Sequence, residues 1–459
     1  MYVKRLRIDG VRGFYGPRAV DLDFTRPNGD YAGWTVVAGR NGSGKTALLQ
    51  AIALGTIGEK RASLLDGQLE DWLSFGCVRG NIQLWLELDG APQLLLGYAS
   101  DISVTWQPEP PTLFDDGYRE TTAATEVSFE AADRYRRALW SSHPPSGWFL
   151  AGYGPFRRLS ENGADWPHSG SYRRSVNPSG RLQAAAGVRT LFQEDAALTE
   201  AVAWMIQLHH LKLDQRTEFS GLLDNIIKIL DDGLLPDDYV VHDIDADGLW
   251  LTRGQTDLVF LLRQMSHGHR TVVALVLDII RRIHHSFGEF RLEERNGKPV
   301  APYPGVVLID EVDAHLHVSW QQRIGPWLKE HFPKIQFIVT SHSPYICQAA
   351  DEGGLIRLPG PDDSEPPEQV TADLYRRIVY GTGDDAVLSE LFGLDTAYSE
   401  PAQELRRELA RLETRLIRGE ADEDDVHRIR TLKRKLSSSP VSRADEISAR
   451  VLGEDAESV

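Results

Sequence analysis

Apolar residues repeat along the chain at the two spacings expected of strands and helices. Alternating or continuous apolar runs predict strands in YVKRLRI, AVDLDF, WTVVAG, GVVLID and QFIVTS. Further antiparallel strands are predicted within residues 80–106, and YVVHDIDADGLWLT predicts a hairpin that turns at residues 246–248. Helical patterns are predicted around residues 126–140, across 190–232, from about Arg270 and in WQQRIGPWLKEHF. Together these elements predict an α/β fold.

The C-terminal part of the chain follows a different pattern. Apolar residues recur there at helical spacing in two runs, namely Leu405, Leu409, Leu412 and Leu416, then Val426, Ile429, Leu432 and Leu436. This spacing predicts a helical hairpin or short coiled coil, and the segment LPGPDDSEPPEQ separates it from the preceding residues. We therefore predict a large N-terminal domain, called the head, at residues 1–358, and it contains a helical insertion at roughly 107–283. A linker at 359–372 and a helical region at 373–459 follow the head.

Composition narrows the classes of function. The hydrophobic fraction of 41% and the charged fraction of 25% are those of a globular protein, and the net charge of −17 disfavours a protein that coats nucleic acid through its overall field. Cys77 and Cys347 lack the spacing of a disulfide framework or a zinc cluster. No signal-peptide pattern and no run of about 20 apolar residues occurs. We expect a cytoplasmic protein with no membrane partner.

The segment GRNGSGKT, residues 39–46, lies between a predicted strand and a predicted helix. Its glycines let backbone N–H groups turn toward phosphates, and the helix presents its positive end to the same anion. Lys45 would reach the β- and γ-phosphates, and Thr46 would offer its hydroxyl to Mg²⁺. A chance glycine turn is the alternative, which this context disfavours. The predicted nucleotide-binding residues are Asn41, Gly42, Ser43, Gly44, Lys45, Thr46 and Ala47.

The segment GVVLIDE ends a predicted buried strand in two carboxylates. Asp310 would complete the Mg²⁺ site with Thr46, and Glu311 would orient the water that attacks the γ-phosphate. The next predicted strand ends at Ser341-His342-Ser343, and one helix separates the two strands, so they are expected to be sheet neighbours. His342 would then contact the γ-phosphate or the water. We predict Lys45, Glu311 and His342 as catalytic residues.

These three motifs, in this order, resemble those of the ABC-type ATPases of the SMC/RecF/OLD branch. GRNGSGKT looks like their Walker A motif, VVLIDE like Walker B with the catalytic glutamate, and TSHSP like their histidine switch. DEVDAHLH resembles a run that in this branch contains the D-loop, which implies D-loop roles for Asp313 and His315. The resemblance implies a P-loop fold with a mixed sheet and flanking helices, an antiparallel β subdomain, an inserted helical region and a C-terminal helical hairpin.

The segment QMSHGHR lies where this family carries its signature motif. Ser266 and Gly268 keep the family spacing, whereas Met265 and His269 depart from the commonest forms. A serine hydroxyl and glycine N–H groups at the start of a helix form an anion-binding end. In this family that end binds the γ-phosphate held by another copy. The resemblance therefore implies a homodimer or higher homo-oligomer with ATP at its interface and with Ser266, Gly268 and His269 acting in trans. A metal site at His267 and His269 is disfavoured because no further spaced ligands accompany them.

FLAGYGPFRRL resembles the Q-loop region of small single-chain members, although it contains no glutamine. From this resemblance, Q-loop positions are assigned only to Tyr153, Gly154 and Arg157. The alternative interpretation of Arg157 is that it and Arg158 form a solvated pair after a strand.

The resemblance narrows to compact antiphage-defence ATPases, similar to the Septu-type ATPase that works with a separate HNH nuclease. The interval 47–263 has no heptads, which disfavours a long coiled-coil member, and no acidic cluster of a Toprim nuclease follows residue 342. We expect that ATP drives the pairing of two copies of this protein and that the pairing controls a separate effector. That effector is expected to be an HNH-like nuclease. The alternative is a RecF-like DNA-repair ATPase that binds DNA ends or gaps directly.

Overall fold

The computed structural model describes residues 1–65, 69–87, 101–108, 112–113, 119–120, 125–131, 140, 148–155, 187–193, 199–213, 217–235, 239–245, 247–254, 258–393, 396 and 398–436. They divide into two compact units, Met1–Gly393 and Leu394–Val459. Within these residues no helix is long and apolar enough to cross a membrane.

The strands are β1 Tyr2–Asp9, β2 Val20–Asp23, β3 Gly33–Gly39, β4 Gly80–Glu87, β5 Asp101–Pro108, β6 Thr112–Leu113, β7 Arg119–Glu120, β8 Thr125–Ala131, β9 Leu150–Tyr153, β10 Tyr239–Asp245, β11 Gly248–Arg253, β12 Val259–Leu261, β13 Glu293–Arg295, β14 Lys298–Val300, β15 Gly305–Ile309, β16 Ile335–Ser341, β17 Leu355–Leu358 and β18 Glu368–Gln369. The α-helices are α1 Lys45–Ile57, α2 Glu59–Leu65, α3 Thr199–Leu213, α4 Thr217–Asp231, α5 His267–Phe287, α6 Val318–His331, α7 Pro344–Cys347, α8 Ala372–Val379, α9 Gly383–Val387, α10 Glu400–Ile417 and α11 Glu423–Lys435. Short 3-10 helices cover Gly16–Arg18, Leu69–Trp72, Arg189–Leu191 and Leu262–Gln264.

A six-stranded sheet forms the centre of the first unit, in the order β18-β17-β3-β16-β15-β9. All its neighbouring strands are parallel except β18, which pairs antiparallel with β17. The carboxyl ends of parallel strands meet at one edge of a sheet, where ligands bind in such folds. Strands β3, β15 and β16 therefore bring the three predicted motifs to the same edge.

Both faces of this sheet are covered, which explains its nearly continuous apolar strands. Successive side chains of a strand point to opposite faces. In β15, Val307 and Ile309 pack into one core cluster with α5, whereas Val306 and Leu308 pack into a second cluster with α1. The predicted α/β fold is confirmed by this layered arrangement.

A five-stranded antiparallel sheet, ordered β2-β1-β4-β5-β8, packs against the second cluster. Its last strand corrects the helix predicted around 126–140, because the described residues 125–131 form β8 and pair with β5. Val127 and Phe129 pack toward the core while Glu126 is exposed. This alternation has the period of a strand, and pairing with β5 decides between the two patterns.

The predicted insertion of roughly 107–283 differs from what the structure contains. Its described residues include β8 of the antiparallel sheet and β9 of the central sheet. The α-helices among those described residues are α3, α4 and α5, and they lie with the small sheet β10-β11-β12. Helix α5 also begins at His267 rather than near Arg270, because Ser266 already has the extended backbone of an N-cap residue.

The segment predicted as a linker, residues 359–372, lies within the first unit of the structure. Within the predicted linker, Glu368 and Gln369 form β18, and the Thr371 side chain caps α8 by accepting a hydrogen bond from the backbone N–H of Leu374. The Tyr375 hydroxyl donates to the carbonyl of Ala350 at 2.9 Å. These contacts join α8 to the first unit, which extends to residue 393.

The second unit contains the predicted pair of helices, α10 and α11. Leu409, Ile429 and Leu432 form its buried cluster. Leu405, Leu412 and Leu436 pack against that cluster, whereas Leu416 is exposed.

Candidate functional site

The phosphate loop runs from Gly39 at the end of β3 to Gly44 at the start of α1. Gly42 and Gly44 have φ angles of +78° and +98°, which favour glycine. A Cβ on Gly44 would lie 2.5 Å from Cζ of Phe14, so the loop also packs too closely for a side chain there. Within the described residues no side chain caps α1, so an anion can bind at the N–H groups of its first turn.

Lys45 lies almost fully buried beneath this loop. Its Nζ donates to the carbonyl oxygens of Gly39 at 3.0 Å and Arg40 at 3.1 Å. Burial lowers the pKa of Lys45, and the carboxylates of Asp310, Glu311 and Asp313 oppose that shift. The ammonium group is thus held at the loop beside three acidic side chains.

A polar link joins the phosphate loop to the end of β15. The hydroxyl of Thr46 donates to Oδ2 of the buried Asp310 at 2.6 Å, and the hydroxyl of Thr340 donates to Oδ1 at 2.5 Å. A hydroxyl and a carboxylate are hard oxygen ligands of the kind that Mg²⁺ prefers, so these residues fit the ion. Thr340, which the sequence reading did not single out, orients the carboxylate from the neighbouring strand.

Glu311 follows Asp310 directly in the chain, and its backbone conformation is unusual. Its φ angle is +45°, and its N–H donates to the Thr340 hydroxyl at 2.7 Å. A non-glycine residue in this region costs about 1–2 kcal/mol, so the surrounding structure must hold it there. Such a backbone turns the chain sharply after β15 at the residue predicted to orient water.

The next turn contains Asp313, one of the two residues predicted to form a D-loop. The Ser341 hydroxyl donates to Oδ1 of Asp313 at 2.5 Å, which ties the turn to the end of β16. His342 follows Ser341 and is partly buried. Burial and then the positive charge of Lys45 lower the pKa of His342, which favours the neutral form of its imidazole.

The predicted signature residues lie at the start of α5, close to His315 of the predicted D-loop. Ser266 is exposed, and its hydroxyl lies 2.9 Å from Nδ1 of His269. A Cβ on Gly268 would come within 2.4 Å of the His315 carbonyl oxygen, so only glycine permits this approach. The His267 and His315 rings pack edge to face with centroids 4.8 Å apart. No group of three His, Cys, Asp or Glu side chains suited to a metal occurs among the described residues.

Of the predicted Q-loop residues, Tyr153 and Gly154 lie at the end of β9, and Arg157 lies outside the described residues. The hydroxyl of Tyr153 donates a hydrogen bond to Oδ2 of Asp278 at 2.9 Å. The sequence analysis did not identify Asp278 as the partner of Tyr153. One signal was present, since Asp278 is a single acidic residue in the apolar run VVALVLDII.

This arrangement resembles that of the P-loop ATPases of the ABC type. A family model described as "AAA domain, putative AbiEii toxin, Type IV TA system" matches residues 162–348, which include the signature, the acidic strand end and the histidine switch. A second model, described as "AAA domain", matches residues 5–91 and includes the phosphate loop.

Curated relatives of this chain include Septu and retron proteins. The Septu protein PtuA of Bacillus mycoides (strain KBAB4) is 25% identical over 350 residues, covering 76% of this chain and 39% of the relative. The PtuA of Bacillus thuringiensis is 29% identical over 201 residues, covering 42% and 44%. The Retron Ec83 probable ATPase of Escherichia coli is 45% identical over 92 residues, covering 20% and 16%. The predicted resemblance to antiphage-defence ATPases is confirmed.

The chain spans less than half the length of these curated relatives. Among solved structures, an Smc head bound to the C-winged helix domain of ScpA aligns with a TM-score of 0.45 and 14% identity, over 81% of this chain and 98% of the other.

Proposed function

We propose that the protein binds ATP with Mg²⁺, pairs with a second copy around it and hydrolyses it. The observation that carries the proposal is the bonded link from Thr46 through Asp310 to Thr340, which brings the phosphate loop and the acidic strand end together. The α1 N-terminus and Lys45 would bind the β- and γ-phosphates. Thr46 and Asp310 would hold the Mg²⁺, which when bound neutralises the charge that develops on the phosphates.

Glu311 and His342 would act on the γ-phosphate side. Phosphoryl transfer to water depends chiefly on positioning and on electrostatic stabilisation. Glu311 would accept a hydrogen bond from the attacking water and orient it. His342, whose lowered pKa favours the neutral imidazole, would donate or accept a hydrogen bond there without adding charge.

The start of α5 would complete the site of the second copy. Its exposed Ser266 hydroxyl and the helix N–H groups can bind an anion. Because the start of α5 holds the predicted signature residues, the anion that we expect there is the γ-phosphate held by another copy. ATP would then join two copies, and hydrolysis would release them.

Replacing Glu311 with Gln tests the hydrolytic role. Glu311→Gln should lower ATP turnover by about a hundredfold or more, because removing a base of this kind costs that much, while ATP binding persists. Pairs should then accumulate with ATP and Mg²⁺ in sedimentation or light-scattering measurements. The exposed Glu352 offers a matched control, Glu352→Gln, which should turn over ATP as the parent does. Unchanged turnover in Glu311→Gln would remove Glu311 from this role.

We further propose that the paired form controls a separate effector, expected to be an HNH-like nuclease. The likeness to Septu and retron proteins of antiphage systems supports this proposal. Co-purification of the protein with the product of an adjacent nuclease gene, and nuclease activity that changes with ATP, would support it. ATPase activity stimulated by DNA, together with salt-sensitive DNA binding, would favour the repair-type alternative instead.

A further inference from the structure

A buried ionic cluster lies in the middle of the signature helix α5. Asp278 is 1% exposed and forms ion pairs with Arg281 at 2.7 Å and Arg282 at 2.5 Å. The hydroxyl of the fully buried Tyr153 is a further donor to Asp278. Burying a carboxylate is costly even when it is paired, and hydrophobic replacement of such clusters often leaves stability unchanged or higher. Stability alone therefore gives little reason for this cluster.

Tyr153 has a second bond that points to a different reason. It is the last residue of β9, and its backbone carbonyl accepts a hydrogen bond from the N–H of Asp310 at 2.7 Å. One residue is thus bonded through its backbone to the Mg²⁺-binding carboxylate residue and through its side chain to the signature helix. The path from Asp310 to α5 contains only two hydrogen bonds.

The geometry of α5 makes this bond influential at Ser266. Asp278 lies twelve residues after Ser266, so about 18 Å of helix separate them at about 1.5 Å per residue. Over that length, a tilt of about 3° moves the helix start by about 1 Å. A misplacement of that size can cost about a hundredfold in a site that depends on alignment.

We propose that Tyr153 and Asp278 are positioning residues, which align the signature helix with Asp310 and so set how tightly ATP joins two copies. The inference rests on the proposed function and adds the residues that couple the two halves of the site. Tyr153 touches neither ATP nor the reacting water in this role. Its hydroxyl holds α5 at its middle, while the close approach of Gly268 to His315 holds the helix at its start.

The test removes one hydroxyl. Tyr153→Phe in the Glu311→Gln background should leave the binding of a fluorescent ATP analogue to single copies within about twofold of the parent. The protein concentration for half-maximal pairing with ATP and Mg²⁺ should rise about tenfold, as expected when one hydrogen bond to a charged group is lost. With Glu311 intact, turnover at low protein concentration should fall while the half-saturating ATP concentration stays the same.

Tyr2→Phe is the matched control. Tyr2 is also buried, and its hydroxyl donates to the Lys334 carbonyl at 3.0 Å, away from α5. It should lose similar thermal stability and pair as the parent does. Asp278→Asn, which keeps the side-chain shape and removes the charge, should weaken pairing in the same direction as Tyr153→Phe.

The outcomes separate the two proposals. Equal pairing by Tyr153→Phe and its parent, or equal losses in Tyr153→Phe and Tyr2→Phe, overturns the positioning role, since Gly268 or general stability would then suffice. Failure of the Glu311→Gln parent itself to pair with ATP contradicts the proposed function, and the positioning role falls with it.

Discussion

The phosphate loop and the signature segment are both helix starts that contain serine and glycine, yet their surroundings differ. In the phosphate loop, Ser43 and Lys45 are buried, and Lys45 donates to the loop's own carbonyls. In the signature segment, Ser266 is exposed and its hydroxyl lies beside His269. The first helix start is organised by the chain that contains it, whereas the second is directed outward. Similar anion-binding chemistry can thus serve a ligand of the same chain or one carried by a second copy.

The largest expected effect concerns the inward-facing helix start. Lys45→Ala should weaken ATP binding on the order of a thousandfold, because two charge-assisted contacts to phosphates are lost. Titration with a fluorescent ATP analogue measures this affinity. Lys298, a partly exposed lysine paired with Glu330, offers a control in Lys298→Ala, which should bind ATP as the parent does. Affinity within about threefold of the parent would show that the phosphate loop does not depend on its lysine.

The next effect separates the two helix starts. Ser266→Arg should bind ATP with parent affinity but weaken pairing on the order of a hundredfold, because an arginine overfills a surface that must close on a second copy. Light scattering with ATP and Mg²⁺ measures pairing. Glu126→Arg, at an exposed position of β8, controls for an added arginine. Normal pairing by Ser266→Arg would mean that α5 does not contact the second copy's nucleotide.

The smallest expected effect is the loss, at low pH, of the stabilisation that ionised Asp278 gives to the signature helix. Burial alone would raise the pKa of Asp278, but Arg282 and Arg281 outweigh it and lower the pKa to about 2 from 3.8. Because the folded pKa is depressed, the stabilisation of about 2 kcal/mol is complete above pH 3.8 and is lost as the pH falls through about 2. The difference in unfolding free energy between the parent and Asp278→Asn should therefore shrink over this range in urea titrations. A difference that stays constant with pH would contradict the assigned cause.

Much of the inward-facing site could be predicted because its residues occur in short, contiguous motifs. The order of strand, glycine loop and helix predicts the α1 N-terminus, and the order of β15, α6 and β16 predicts that their ends are neighbours. By contrast, Tyr153 and Asp278 lie 125 residues apart, and no local pattern pairs them. The domain boundary was also misplaced, because a segment rich in proline and acid can still add β18 to the edge of a sheet.

The error at β8 has a related cause. TEVSFEA alternates with the period of a strand, but its glutamates and alanine also suit a helix. Pairing with β5 decides the matter, and that contact is non-local. Local pattern thus identified the elements that carry motifs better than those that only complete a sheet.

The left-handed backbone of Glu311 has a consequence for how such a protein changes under selection. Asparagine accepts this conformation at lower cost than glutamate, so the residue that we propose for orienting the attacking water is not the residue that the backbone favours. Selection for thermal stability alone would tend to replace Glu311, and under the proposed role hydrolysis would be lost with it. Laboratory stabilisation of the protein should therefore keep this position fixed and seek its gains elsewhere in the fold.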